Sequence, residues 1–221
     1  MPKRVILITI TKLIACTLFA QQYGSLKDIR DGRVYKTVKI GDQVWMAENL
    51  NVSKFRNGDP IKQVKTDDEW ERASLSEQPA WSFYANNLAN GEKYGKIYNW
   101  YAVHDKRGLA PKGWKIPSEN DWSILYNYLG GSGIADVKLK SKNGWKENGN
   151  GSDSSGFSAL PGGYRYYGNE SFFGIGYLID WWTSEQNVSS RRWQLEINHT
   201  NSFKPRYRYT RDGLYVRCVK E

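Results

Sequence analysis

The sequence predicts an α+β fold: one main amphipathic helix and a short second helix pack on twisted, mostly antiparallel short strands with long loops. Three observations carry that expectation. Between Gly113 and Leu129, Ser118 can cap a helix, Glu119 and Asp121 charge its first turn, and Trp122, Leu125, Tyr126 and Leu129 recur at helical spacing. Thr66-Asp67-Asp68-Glu69 has the form of a capping box opening a shorter helix to about Leu75. Most of the remaining chain alternates aromatic or β-branched runs with glycine turns, the texture of short strands. A helix with one apolar stripe must bury it, and a sheet supplies the apolar face.

Residues 1–20 carry Lys3 and Arg4, then an apolar run interrupted by Lys12, ahead of a polar start at Gln21. This is the layout of a secretory signal peptide, with cleavage after Ala20. Leu13-Ile14-Ala15-Cys16 also resembles a bacterial lipobox, which makes Cys16 a lipidation candidate and residues 1–15 the alternative leader. Both versions predict export, either as a secreted protein or as an outer-membrane or cell-surface lipoprotein. Residues 21–31 read as a short linker and residues 32–221 as a single domain.

Val34 to Asn49 holds two β-branched segments around Gly41-Asp42, a hairpin signal. Leu50 to Lys65 reads as loop with one short strand, and contains the turn Asn57-Gly58-Asp59-Pro60. After the helix that starts at Thr66, Pro79 to Tyr84 reads as a strand and Asn86 to Gly91 as a polar loop. Tyr94 to Val103 is the most apolar stretch outside the leader and fits a strand or the start of a short helix equally well. Glycines 130, 131 and 133 stop the main helix, and Ile134 to Trp145 reads as irregular. Asn148 to Gly156 is rich in side-chain oxygens, but it lacks EF-hand spacing and only Asp153 is charged, so a surface loop is favoured over a calcium site. From Phe157 onward, short strands and turns form a meander that finishes in the core.

The 221 residues include 10 Trp, 15 Tyr and 7 Phe at a mean hydropathy of −0.70, so the core rests on a few large rings and some rings stay at the surface. Net charge is +9, and Arg191 to Arg217 holds seven basic residues against two acids. A partner of that region is anionic or π-rich. With Cys16 removed or lipidated, Cys218 is the one remaining thiol, which excludes an intramolecular disulfide and reads as a buried, inert side chain.

Catalytic signatures are absent. Cys218 falls in an expected core strand, away from any Cys–His pairing with His104 or His199. The two histidines lack zinc-ligand spacing, and no carboxylate pair is singled out for glycoside hydrolysis. The candidate ligand-binding residues are aromatic and basic: Tyr164, Arg165, Tyr166 and Tyr167 on one turn, and Trp182, Glu185, Arg191, Arg192 and Trp193 on the next. Flat rings with adjacent charges suit a sugar ring or a protein anchor, and no cofactor or metal is expected.

Val44 to Leu50, Tyr94 to Val103, Pro111 to Ser118, Gly156 to Arg165, Trp181 to Glu185 and Val216 to Lys220 together resemble the Fibrobacter succinogenes major paralogous domain family of exported bacterial proteins. That family looks like a distant relative of C-type-lectin-like and formylglycine-generating folds. The resemblance implies a C-type-lectin-like arrangement with functional long loops and carries no activity with it. The family commonly has cysteines where this chain has Ser82 and Ala110, so loss of one disulfide as a unit is implied. The calcium-dependent sugar motifs of C-type lectins are missing, and formylglycine-type oxidation needs two active-site cysteines. The expected function is an exported, non-enzymatic recognition domain for glycan or protein, with a structural or interaction subunit of a surface assembly as the alternative and an uncharacterised enzyme as the third reading. Neither nucleic acid nor a membrane is an expected partner, apart from a lipid at Cys16.

Overall fold

In the computed structural model, the described residues are 21–167, 171–185, 191–201 and 204–221; the side chains of residues 191–193 and 204–207 lie outside that description. The expected leader, residues 1–20, and the lipidation candidate Cys16 also lie outside the described residues.

The strands, in chain order, are β1 (Gln22–Lys27), β2 (Val34–Ile40), β3 (Gln43–Met46), β4 (Lys62–Gln63), β5 (Ala80–Ser82), β6 (Ile97–Asn99) and β7 (Trp114–Lys115). They continue with β8 (Gly162–Arg165), β9 (Phe172–Ile175), β10 (Leu178–Trp182), β11 (Arg191–Asn198), β12 (Lys204–Tyr209), β13 (Gly213–Leu214) and β14 (Val219–Lys220). The helices are α1 (Asp67–Leu75), α2 (Leu88–Tyr94), α3 (Trp100–Val103), α4 (Glu119–Leu129) and α5 (Ile134–Leu139), with a 3-10 turn at Tyr84–Asn86. The class is α+β with mixed sheets.

One sheet has five strands in the order β1-β2-β3-β14-β7, so residues 219 and 220 sit between the first hairpin and Trp114–Lys115. The second has nine strands, with β12-β11-β10-β8-β13-β6-β5-β4 in a row and β9 paired to β8. Pairing is mostly antiparallel, as expected, and β8–β10 and β4–β5 are parallel. The hairpin at Gly41-Asp42 forms as read, with Ile40 opposite Gln43.

Local chemistry fixes both expected helices. The Ser118 hydroxyl accepts from Asp121 N–H at 3.0 Å, Asp121 Oδ2 accepts from Ser118 N–H at 2.8 Å, and Gly130 ends α4 in the left-handed conformation at φ 106°. Trp122, Leu125, Tyr126 and Leu129 form its buried face. At α1, the Thr66 hydroxyl accepts from Glu69 N–H and Glu69 answers to Thr66 N–H.

Three segments depart from the sequence reading, and a fourth combines its two alternatives. The supposed linker contains β1, which pairs with β2 from Gln22 to Lys27. The supposed loop at Asn86 to Gly91 turns into α2, because the Asn87 side chain accepts from Ala89 N–H at 2.9 Å. Ile134 opens α5, held where Asp136 accepts from Gly133 N–H and Tyr126 Oη–H, both at 2.9 Å. Tyr94 to Val103 divides between the two readings: β6 runs directly into α3, with Asn99 accepting from Ala102 N–H at 3.1 Å.

The core is a ring cluster assembled from distant segments. Trp45 of β3 lies 4.6 Å from Trp122 of α4, Trp122 lies 5.7 Å from Trp181 of β10, and Phe157 meets all three rings within 6.0 Å. The Asn49 carboxamide oxygen accepts from Trp181 Nε1–H at 2.8 Å and from Arg217 Nε–H at 3.0 Å. Arg217 also donates to the Phe157 carbonyl and lies 4.4 Å over that ring. Cys218 is buried and free, and burial pushes its thiol up to about 12. The loop from 148 to 156 is wired down as well: N–H groups of Gly151, Ser152 and Asp153 donate to carbonyls of Ser141, Val137 and Lys140.

Candidate functional site

The antiparallel register of β10, β11 and β12 sorts residues by face. Ile179 and Trp181 join Leu195 and Ile197 in the core, so Asp180 and Glu196, directly opposite each other, turn together to the other face. Two facing carboxylates repel unless a cation intervenes. Arg208 of β12 supplies it, donating from Nη2 to Asp180 at 2.9 Å and lying 3.8 Å from Glu196. Its guanidinium also sits 3.7 Å from the centre of the Tyr164 ring.

Tyr164 is the inner rung of a ladder of half-buried rings. Its cross-strand neighbour Phe173 stacks at 6.0 Å, Tyr166 meets Phe173 at 6.0 Å and Tyr167 at 4.8 Å, and Tyr167 meets Tyr209 edge-on at 5.2 Å. Asp212 fastens the outer end, accepting the N–H groups of Tyr167 and Tyr209, each at 3.2 Å. Burial pushes the Asp212 carboxyl up to about 6, against the downward pull of Arg208 and the two amides. The result is an aromatic strip with charge beneath it, suited to stacking against a flat apolar face and to hydrogen bonding at its edge.

Of the residues expected from sequence, Tyr164, Tyr166 and Tyr167 belong to this strip, and three others do not. Trp182 is wholly buried, packed edge-on against Trp100 at 5.5 Å with Nε1–H donating to the Tyr98 carbonyl at 2.8 Å. The sequence showed an aromatic pair, Trp181-Trp182, but β10 is covered on both faces, so both rings are core. Arg165 is also buried, donating to Asp67 at 2.7 Å and the Thr66 carbonyl at 3.1 Å, where it anchors the start of α1. Glu185 accepts Glu119 N–H on both oxygens, at 2.8 and 2.9 Å, and so caps α4 from outside. Arg191, Arg192 and Trp193 lie in β11, with side chains outside the described residues.

Phe173, Arg208, Tyr209, Asp180, Glu196 and Asp212 enter the site without having been singled out by the sequence. A clue was available in the Arg-Tyr alternation around Arg208 and Tyr209, but only strand register shows which face each side chain takes. Among the described residues, no group of three His, Cys, Asp or Glu side chains is placed to hold a metal ion, and no helix is long and apolar enough to cross a membrane.

The model of the Fibrobacter succinogenes major domain matches residues 38–220, so the chain belongs to that family. No curated protein sequence and no solved structure gives a significant match.

Proposed function

We propose that this member of the Fibrobacter succinogenes major domain family is an exported, non-enzymatic recognition domain that binds glycan or protein without calcium. The leader in residues 1–20 would deliver it outside, either secreted or held by a lipid at Cys16. The single observation that carries the reading is the strip Tyr164-Phe173-Tyr166-Tyr167-Tyr209, five half-buried rings in contact with Arg208 beside them. Half-buried rings keep one region wet and fixed in orientation, which lets a sugar face or an aliphatic anchor stack at low entropic cost. A C-type-lectin-like arrangement is part of this proposal. It is supported by the pairing of β14 with β3 in the small sheet and by the position of the strip on the larger sheet.

A glycan array and a pull-down with the full chain, run beside a Tyr166→Ala, Tyr167→Ala double variant, test the reading. Saturable binding that falls about tenfold or more in the variant is expected, since stacking rings at a binding centre contribute on the order of 1–2 kcal/mol each. Binding that survives the double substitution unchanged, or none in either assay, overturns it. Mass spectrometry of the native N-terminus decides the lipid: an unmodified start at Gln21 rules out acylation at Cys16.

A further inference from the structure

A second concave site lies where β2, the segment after β3, α2 and Arg217 meet. It is a cleft of about 200 Å³ lined by four cations, Arg33, Lys36, Lys93 and Arg217, and by the carboxylates of Glu48 and Glu92. None of the aromatic strip lines it. The positions of these charges differ in kind. Arg33, Lys36, Glu92 and Lys93 are exposed at the rim, whereas Arg217 is 1% exposed.

Arg217 is the unusual group. Its guanidinium donates from Nε to Asn49 and from Nη1 to the Phe157 carbonyl, both neutral acceptors, and among the described residues no carboxylate comes within ion-pair distance of it. A buried cation without a counter-ion is costly, and the cost falls when an anion arrives. Glu48 and Asp153 act on it only from beyond ion-pair distance: one Glu48 oxygen accepts Lys36 N–H at 2.8 Å, turning it toward β2, and Asp153 accepts the N–H and hydroxyl of Ser158 at 2.9 and 2.7 Å. Burial lowers the Arg217 pKa to about 9, so the group stays charged at neutral pH.

We propose that this cleft is a binding site for a carboxylate-bearing ligand, with Arg217 holding the carboxylate and Arg33, Lys36 and Lys93 drawing it in. The planar guanidinium matches a carboxylate in shape, and its remaining N–H groups form a charge-assisted pair with it. Glu48 and Glu92 offset two of the four cations that line the cleft, and inorganic phosphate serves as the comparison anion. The volume is small for a whole ligand, which suits a free monocarboxylate or the acidic end of a larger sugar.

Titration of the full chain, followed by amide and Arg side-chain NMR, tests this with acetate, glucuronate, glucose and inorganic phosphate at about 150 mM salt. Glucuronate or acetate is expected to shift the signals of Arg217 Nε–H and of the N–H of Gly95, which also lines the cleft, with a Kd of about 1 mM. Tighter binding of glucuronate assigns an acidic sugar, and equal binding assigns a free carboxylate. Lys36→Glu with Lys93→Glu, two exposed positions that leave the fold intact, is expected to weaken binding about tenfold or more. Arg217→Gln is checked first by thermal melting because Arg217 also ties Asn49 to Phe157, and the rim variants carry the test if it unfolds. The proposal is overturned by no shift up to about 20 mM carboxylate, by phosphate or glucose binding as well as carboxylate, or by unchanged affinity in the rim variants.

Discussion

At the scale of single residues, Asp212 places a carboxylate in the interior with two backbone N–H groups for company. Burial raises its folded pKa to about 6, whereas an unfolded Asp titrates near 3.9. Between those values the folded state binds more protons than the unfolded chain, so the contribution of Asp212 to stability is fully present below about pH 4 and is lost as pH rises through about 6. Asp59, Glu69, Asp105 and Asp121 pull the other way, because hydrogen bonds or ion pairs hold their carboxyls below the usual range. The Asp212 share therefore has to be read as a difference. Urea unfolding of the wild type and Asp212→Asn at pH 4.5 and 7.5 is expected to show the wild type gaining on the variant at the lower pH; a gap of equal size at both would refute the assignment. The same residue shows why part of the site was illegible. Nothing near Asp212 in the sequence announces that its partners are the amides of Tyr167, 45 positions away, and Tyr209.

At the scale of elements, legibility followed the range of the interactions. The starts of α1 and α4 were readable because each capping box is closed within three residues, and the buried stripe of α4 has enough turns to show its period. The short helices α2, α3 and α5 span seven, four and six residues, too few for periodicity to register. They are set by one Asn or Asp side chain each and by packing. Glu185 illustrates the complementary case, since it caps α4 from 66 positions further along the chain. An anion at a helix N-terminus contributes roughly 0.5–1 kcal/mol. Glu185→Ala is expected to lower stability by that amount at neutral pH, and a Ser118→Ala companion variant to cost roughly 1 kcal/mol. Chemical denaturation measures both; if Glu185→Ala leaves the midpoint unmoved, Glu185 does not cap the helix in solution.

At the scale of the whole molecule, the segments that carried the family resemblance turn out to meet in space. Trp45 and Asn49, Phe157, Trp181 and Arg217 come from four of them and form the core joint, so the motif residues at this joint specify packing, with Asn49 and Arg217 also reaching the cleft beside α2. That explains why the fold was easier to read than the site: buried rings leave a strong trace in composition, while the surface strip is defined by register. The position of β14 between β3 and β7 gives a sharp expectation. Deleting residues 217–221 removes Arg217 from Asn49 and Phe157 and leaves β3 and β7 without their shared partner, so the shortened chain is expected to lose its near-ultraviolet circular dichroism and cooperative melting. Retention of a cooperative melt close to that of the full chain would show that the sheet closes without it.

That same strand order sets a clock on synthesis. Ribosomes add about 5–20 residues per second, so roughly 10–45 s separate the first residue from residue 219. During that interval the small sheet lacks the strand that joins β3 to β7, Trp114 and Trp45 have nothing between them, and the nascent chain cannot lock into its final form. Until β14 has emerged the joint between β3 and β7 stays open, and the chain is easier to unravel than the finished fold.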